Sequence, residues 1–89
     1  MNIIIKTKNI ELTDSLQNYI TKRIEGLKKF LKEDSELFVD VQKENLHHKK
    51  GDIFTTEAQV LLPGKNMVAK AHGDDLGKTV TQVRDQLKE

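Results

Sequence analysis

A chain of 89 residues, a third of them charged and none of them cysteine, is large enough for one small core and excludes disulfides and thiolate metal sites. Fifteen lysines and arginines against fourteen aspartates and glutamates leave a net charge of +1, so only the placement of charge can argue for a partner. No window approaches the roughly 18 apolar residues of a membrane span, and MNIIIKTKNI lacks a basic region followed by a long hydrophobic run; a cytoplasmic protein is expected.

Residues Asn2 to Thr7 alternate, Ile3 and Ile5 against Ile4 and Lys6, and predict a first strand. Ile10 and Leu12 then lead under a helix predicted from Thr13 to Glu33. On a helical wheel Leu16, Tyr19, Ile20, Ile24, Leu27, Phe30 and Leu31 fall within an arc of roughly 140°, a core-facing stripe. Thr13 suits the cap, and lysines gather toward the negative end of the helix dipole. Leu37, Val39 and Val41 alternate with polar partners in a second strand ending near Glu44. Asn45 to Asp52 is a polar hairpin connection around Gly51. Phe54, Thr56, Ala58, Val60 and Leu62 share one face of a third strand. Pro63 and Gly64 suit the centre of a type II turn, and a fourth strand returns through Met67, Ala69 and Ala71. Leu76, Val80, Val83 and Leu87 recur at the four, three, four spacing of a helix face, with either Asp74 or Asp75 available as cap.

The expected fold is α+β, in the order β-α-β-β-β-α, as one domain over residues 1–89 without repeat or linker. A right-handed crossover between parallel first and second strands puts the first helix on one face of a four-stranded mixed sheet. The second helix needs that same face to bury its stripe, which leaves the other face in water.

His47 and His48 are adjacent and point oppositely in extended chain, and His72 has no partner legible in sequence; no metal site and no cofactor follow. No serine, histidine and acid set, no glycine-rich phosphate loop and no paired carboxylates stand out, so no enzyme and no small-molecule substrate are expected. The informative pattern is basic. From Leu16 to Lys32 there are five basic residues and one acidic. Lys22, Arg23, Lys28, Lys29 and Lys32 on the first helix, with Lys78, Arg84 and Lys88 on the second, form a candidate RNA-binding face, joined by Lys6, Lys8 and Lys70 on strands or their ends. Its bland counterpart is a solvated, salt-bridge-dotted surface. Arg23 falls inside the edge of the apolar arc, where it either snorkels to water or takes a phosphate at the rim of an interhelical groove. With Tyr19 and Phe30 assigned to the core, aromatics for base stacking are nearly absent.

MNIIIKTKNIELTDSLQNYITKRIEGLKKFL resembles the opening of the ribosome hibernation promoting factors, the bacterial ribosome-associated inhibitor family also labelled sigma-54 modulation proteins. The features are a short strand, the NIELTDSL junction, and a helix with Tyr19, Arg23, Leu27, Lys28 and Phe30 in register. LPGKNMVAKAHGDDL resembles the family's turn, fourth strand and G-x-D-[ML] lead-in to the second helix, through Gly73, Asp75 and Leu76. The resemblance covers essentially the whole chain and contains no catalytic motif.

It implies a domain similar to the double-stranded-RNA-binding fold. It also implies a translation inhibitor that binds 16S ribosomal RNA in the small-subunit channel between head and body, over the messenger and transfer RNA sites. Lys22, Arg23, Lys28, Lys29 and Arg84 carry over as basic positions. Away from the ribosome a monomer is expected. Two departures stand out. Gly77, Lys78, Thr79, Val80 and Thr81 replace the tyrosine, small residues, isoleucine and aspartate usual after the lead-in, and the sequence given stops at Glu89 where relatives continue in a lysine-rich helix. Were Glu89 the natural end, fewer phosphate contacts would weaken binding and flatten its salt dependence. The rival expectation is a protein-interaction module that modulates a transcription factor through the exposed sheet face. Cosedimentation with small subunits at low and high salt separates the two.

Overall fold

Aliphatic residues at alternate positions build the sheet of the computed structural model, which describes residues 2–31, 34–45 and 52–88. Its strands are β1 (Asn2–Lys8), β2 (Glu36–Asn45), β3 (Asp52–Leu62) and β4 (Lys65–Gly73). They lie in the order β1-β2-β3-β4, with β1 parallel to β2 and the other pairs antiparallel. The register places Ile3, Leu37, Val60 and Met67 in one row across the sheet and Ile5, Val39, Ala58 and Ala69 in another on the same face. That face meets both helices, and its central residues are buried. Bulk falls off toward β4, where Ala58, Ala69 and Ala71 leave room for the second helix. Gly64, at φ 75°, takes the left-handed position that the Pro63 turn requires and that costs a glycine nothing. The connection expected over residues 45–52, with His47 and His48, lies mostly outside the described residues, as does Lys32.

The first helix is shorter than its apolar period predicts. α1 runs Asp14–Ile24, capped by Thr13, whose hydroxyl accepts from the Leu16 amide at 3.1 Å. Glu25–Lys29 then tightens into a 3₁₀ segment. Gly26 explains part of the change, since glycine in an α-helix costs about 1 kcal/mol relative to alanine. The Leu27 carbonyl accepts from the amides of both Phe30 (2.9 Å) and Leu31 (3.1 Å), the shared bond of a fraying helix end. Ile20, Ile24 and Leu27 are buried, and Leu16 and Leu31 pack at the core edge as the stripe requires. Tyr19 and Phe30 do not belong to it: they are 40% and 58% exposed.

The second helix, α2 (Leu76–Lys88), buries Val80, Val83 and Leu87 as its spacing predicts. Asp75 is the capping aspartate, accepting from the Lys78 amide at 3.2 Å. Below it, Thr79 donates to the Leu76 carbonyl at 2.8 Å, and its oxygen lies 2.9 Å from the hydroxyl of Thr56 on β3. With the Thr79 proton spent on Leu76, Thr56 is the donor. Burying one aliphatic side chain contributes about 1.5–3 kcal/mol and one hydrogen bond a net of about 0.5–1.5 kcal/mol. Apolar burial therefore holds the helices down, and polar contacts fix their register.

Candidate nucleic-acid interface

A four-rung ladder joins the two helices, each rung pairing residues 58 positions apart. Tyr19, Arg23, Gly26 and Phe30 on the first helix meet Gly77, Thr81, Arg84 and Lys88 on α2, so the two helices run in the same direction. In the first rung, the Tyr19 hydroxyl occupies the space where a side chain on Gly77 would start. In the second, Arg23 Nη1 donates to Thr81 Oγ1 at 3.0 Å while its Cζ stacks 4.6 Å from the centre of the Tyr19 ring. In the third, the Arg84 stem passes 3.8 Å from where a Gly26 side chain would begin, and its Nη1 donates to the Arg23 carbonyl at 3.4 Å. In the fourth, Lys88 Nζ lies 5.7 Å from the centre of the Phe30 ring. Cations at the negative end of α1 are electrostatically favoured.

Arg23 therefore does more than snorkel. Its guanidinium is wedged between Tyr19 and α2, and among the described residues its buried Nε has no hydrogen-bond partner. Arg84 is also partly engaged, since its Nε donates to Asp85 at 3.2 Å. The lysines are freer: Lys22, Lys28, Lys29, Lys78 and Lys88 are all exposed. Among the described residues only Lys28 of these five reaches a carboxylate, Glu25 at 3.9 Å, and an exposed pair of that length is worth about 1 kcal/mol or less. Tyr19, Arg23, Gly77, Lys78 and Thr81 line one shallow groove along the seam, with Asp75 and Gln82 at its margin. Such an array can hold phosphates with mobile ammonium groups around two positioned guanidinium groups.

The opposite face of the sheet carries both signs, with its carboxylates gathered toward the middle. The register sets Lys6, Asp40, Glu57 and Lys70 in one row, with Asp40 directly across from Glu57. Those two carboxylates share a groove with Glu44, Thr55 and His72, and with Lys70, the neighbour of Glu57 on β4. Like charges directly opposed on a sheet destabilise it, and they repel a phosphate backbone. Lys6, Lys8 and Lys70 belong with this face rather than with the helical lysines.

Thr81, Gly77 and Phe30 as seam residues were missed by the sequence reading, although a signal exists. Tyr19, Arg23, Gly26, Phe30 and Gly77, Thr81, Arg84, Lys88 repeat the same four, three, four spacing, one position from each apolar stripe on α2 and beside the stripe on α1. Two such matched rows of small, aromatic and basic residues mark where helices touch.

Residues 3–89 match the family model described as Sigma 54 modulation protein / S30EA ribosomal protein. The ribosome hibernation promoting factor of Acinetobacter guillouiae is 28% identical over 92 residues, covering 99% of this chain and 81% of that protein. The crystal structure of the N-terminal domain of Thermus thermophilus Protein Y superposes with a TM-score of 0.73 at 27% identity, over 99% of this chain and 92% of the other. A ribosomal subunit interface protein from Coxiella burnetii shares the fold, with a TM-score of 0.74 at 21% identity over 99% and 90% of the two chains.

Proposed function

The chain belongs to the Sigma 54 modulation protein / S30EA ribosomal protein family, and from that premise we propose that it is a ribosome-associated factor that silences translation by occupying the decoding channel of the small subunit. The helical seam faces 16S ribosomal RNA. Lys22, Lys28, Lys29, Lys78 and Lys88 neutralise backbone phosphates, and Arg23 and Arg84 stiffen the surface that presents them. Lys32 joins them on its sequence position. Occlusion needs no bond to be made or broken, so the reading involves no catalysis, cofactor or metal, and its site of action is the cytoplasm.

The observation that carries the choice of face is where the carboxylates and the exposed lysines are concentrated. Exposed lysines border the seam, whereas Asp40 and Glu57 sit opposed at the middle of the sheet. Bringing the sheet face to RNA would set carboxylates against phosphates; bringing the seam releases counterions.

Sedimentation with purified small subunits tests this. The unmodified protein should pellet at low salt and be released as salt rises. A variant carrying Lys22→Glu, Lys28→Glu and Lys29→Glu should stay in the supernatant at physiological salt with its far-ultraviolet spectrum unchanged. Pelleting of that variant at the level of the unmodified protein overturns the face assignment and favours a protein partner on the sheet face.

A further inference from the structure

The two aromatic rings of the helical seam differ in cover. Tyr19, 40% exposed, has Arg23 across its ring and its hydroxyl seated over Gly77. Phe30, at the far end, keeps 58% of its surface exposed, with the Lys88 ammonium 5.7 Å from its ring centre. Its place follows from register: Phe30 caps the 3₁₀ segment one position before the core-side Leu31.

An aromatic ring left in water beside cations has the properties of a stacking platform. Its π face is sequence-tolerant toward nucleobases, and Lys28, Lys29 and Lys88 lie close enough in chain or in space to hold the flanking phosphates. A helical RNA backbone would use the lysines but leave the ring idle, because base pairs stacked inside a helix present no free face. Resting on the RNA-binding reading above, we infer that Phe30 is a base-stacking subsite for an unpaired nucleotide, set at the far end of the seam with Lys88 as its phosphate or cation partner. The protein then binds RNA in two ways at once, by charge along the seam and by stacking at its end.

The sequence contains no tryptophan, so Phe30→Trp in the full chain gives a single tryptophan that can be excited apart from Tyr19. Titration with single-stranded oligouridylate should quench its emission, and a long RNA duplex at equal phosphate concentration, with few ends to stack on, should not. Phe30→Leu, which keeps an apolar side chain, should bind small subunits roughly 5- to 150-fold more weakly with an unchanged salt slope, while Phe30→Trp binds as the unmodified protein or better. Equal binding by Phe30→Leu, or equal quenching by single strand and duplex, overturns the stacking subsite and leaves the phosphate-binding seam standing. If the unmodified protein fails to pellet with small subunits, the ribosome reading falls, and the oligouridylate and duplex titration still decides whether Phe30 stacks on bases.

Discussion

The hydroxyl of Tyr19 on α1 fills the volume in which a side chain on Gly77 of α2 would begin, and Arg23 Cζ and Nη2 stand 3.3 Å from the same point. Glycine at 77 is therefore imposed by the neighbouring helix, against the preference of its own. Alanine there would gain about 1 kcal/mol of helix propensity but would overpack the seam at a cost of about 1–3 kcal/mol. Gly77→Ala is expected to be neutral to about 2 kcal/mol destabilising by urea denaturation, and Tyr19→Phe, which removes the obstructing oxygen, should make the same substitution stabilising. A double-mutant cycle additive to within about 0.5 kcal/mol would show that the two residues do not compete for this space.

The buried hydroxyl pair gives a second, asymmetric expectation. Thr79→Val removes the donor to the Leu76 carbonyl and leaves the Thr56 proton without an acceptor, so it should cost about 1–3 kcal/mol. Thr56→Val leaves Thr79 still donating to Leu76 and should cost less. Chemical denaturation of both variants measures the difference, and a larger loss for Thr56→Val would mean that the hydrogen runs the other way.

These contacts mark where sequence reading stops. Alternation in Leu37, Val39 and Val41 and the spacing of Val80, Val83 and Leu87 are local patterns with one period each, and they named the strands, the helix and the buried face. The type II turn was equally legible, since only glycine enters a positive φ without strain. Tyr19 and Phe30 were misplaced because each stands one position before a core residue, Ile20 and Leu31, at the edge of the apolar arc, where a wheel alone does not separate core from seam. The roles of Arg23 and Arg84 were hidden for a related reason: charge and spacing place a side chain at a helix edge, but whether it spends its hydrogen bonds on Thr81 and a backbone carbonyl is decided by a partner some 60 residues away.

Gln86 protects the free edge of β4. Its amide nitrogen donates to the Lys70 carbonyl and its oxygen accepts from the Lys70 amide, both at 3.2 Å, in imitation of a ladder bridge. Water can replace both bonds, so Gln86→Ala should cost less than about 1 kcal/mol in stability. Its consequence is expected in association, since an uncovered strand edge offers a template for pairing. Sedimentation velocity should show a weight-average coefficient that rises with concentration for the variant and stays flat for the unmodified protein; identical flat profiles would assign the Gln86 contact to local stability alone.

Salt dependence provides the sharpest separation between the helical lysines and those on the sheet. Each ammonium that neutralises a phosphate releases a counterion, and losing one contact lowers the slope of log affinity against log salt by about 0.7–0.9. Lys29→Gln, Lys78→Gln and Lys88→Gln should each flatten the slope for small-subunit binding by about that amount. Lys6→Gln, in the row with Asp40 and Glu57, should leave it unchanged. Arg23→Gln behaves differently again: it gives up the Thr81 hydrogen bond and the Tyr19 stack, so its loss of affinity must accompany a measurable loss of folding stability. A slope that responds to Lys6 and ignores Lys78 and Lys88 would place the RNA on the sheet, against the distribution of charge that assigns it to the seam.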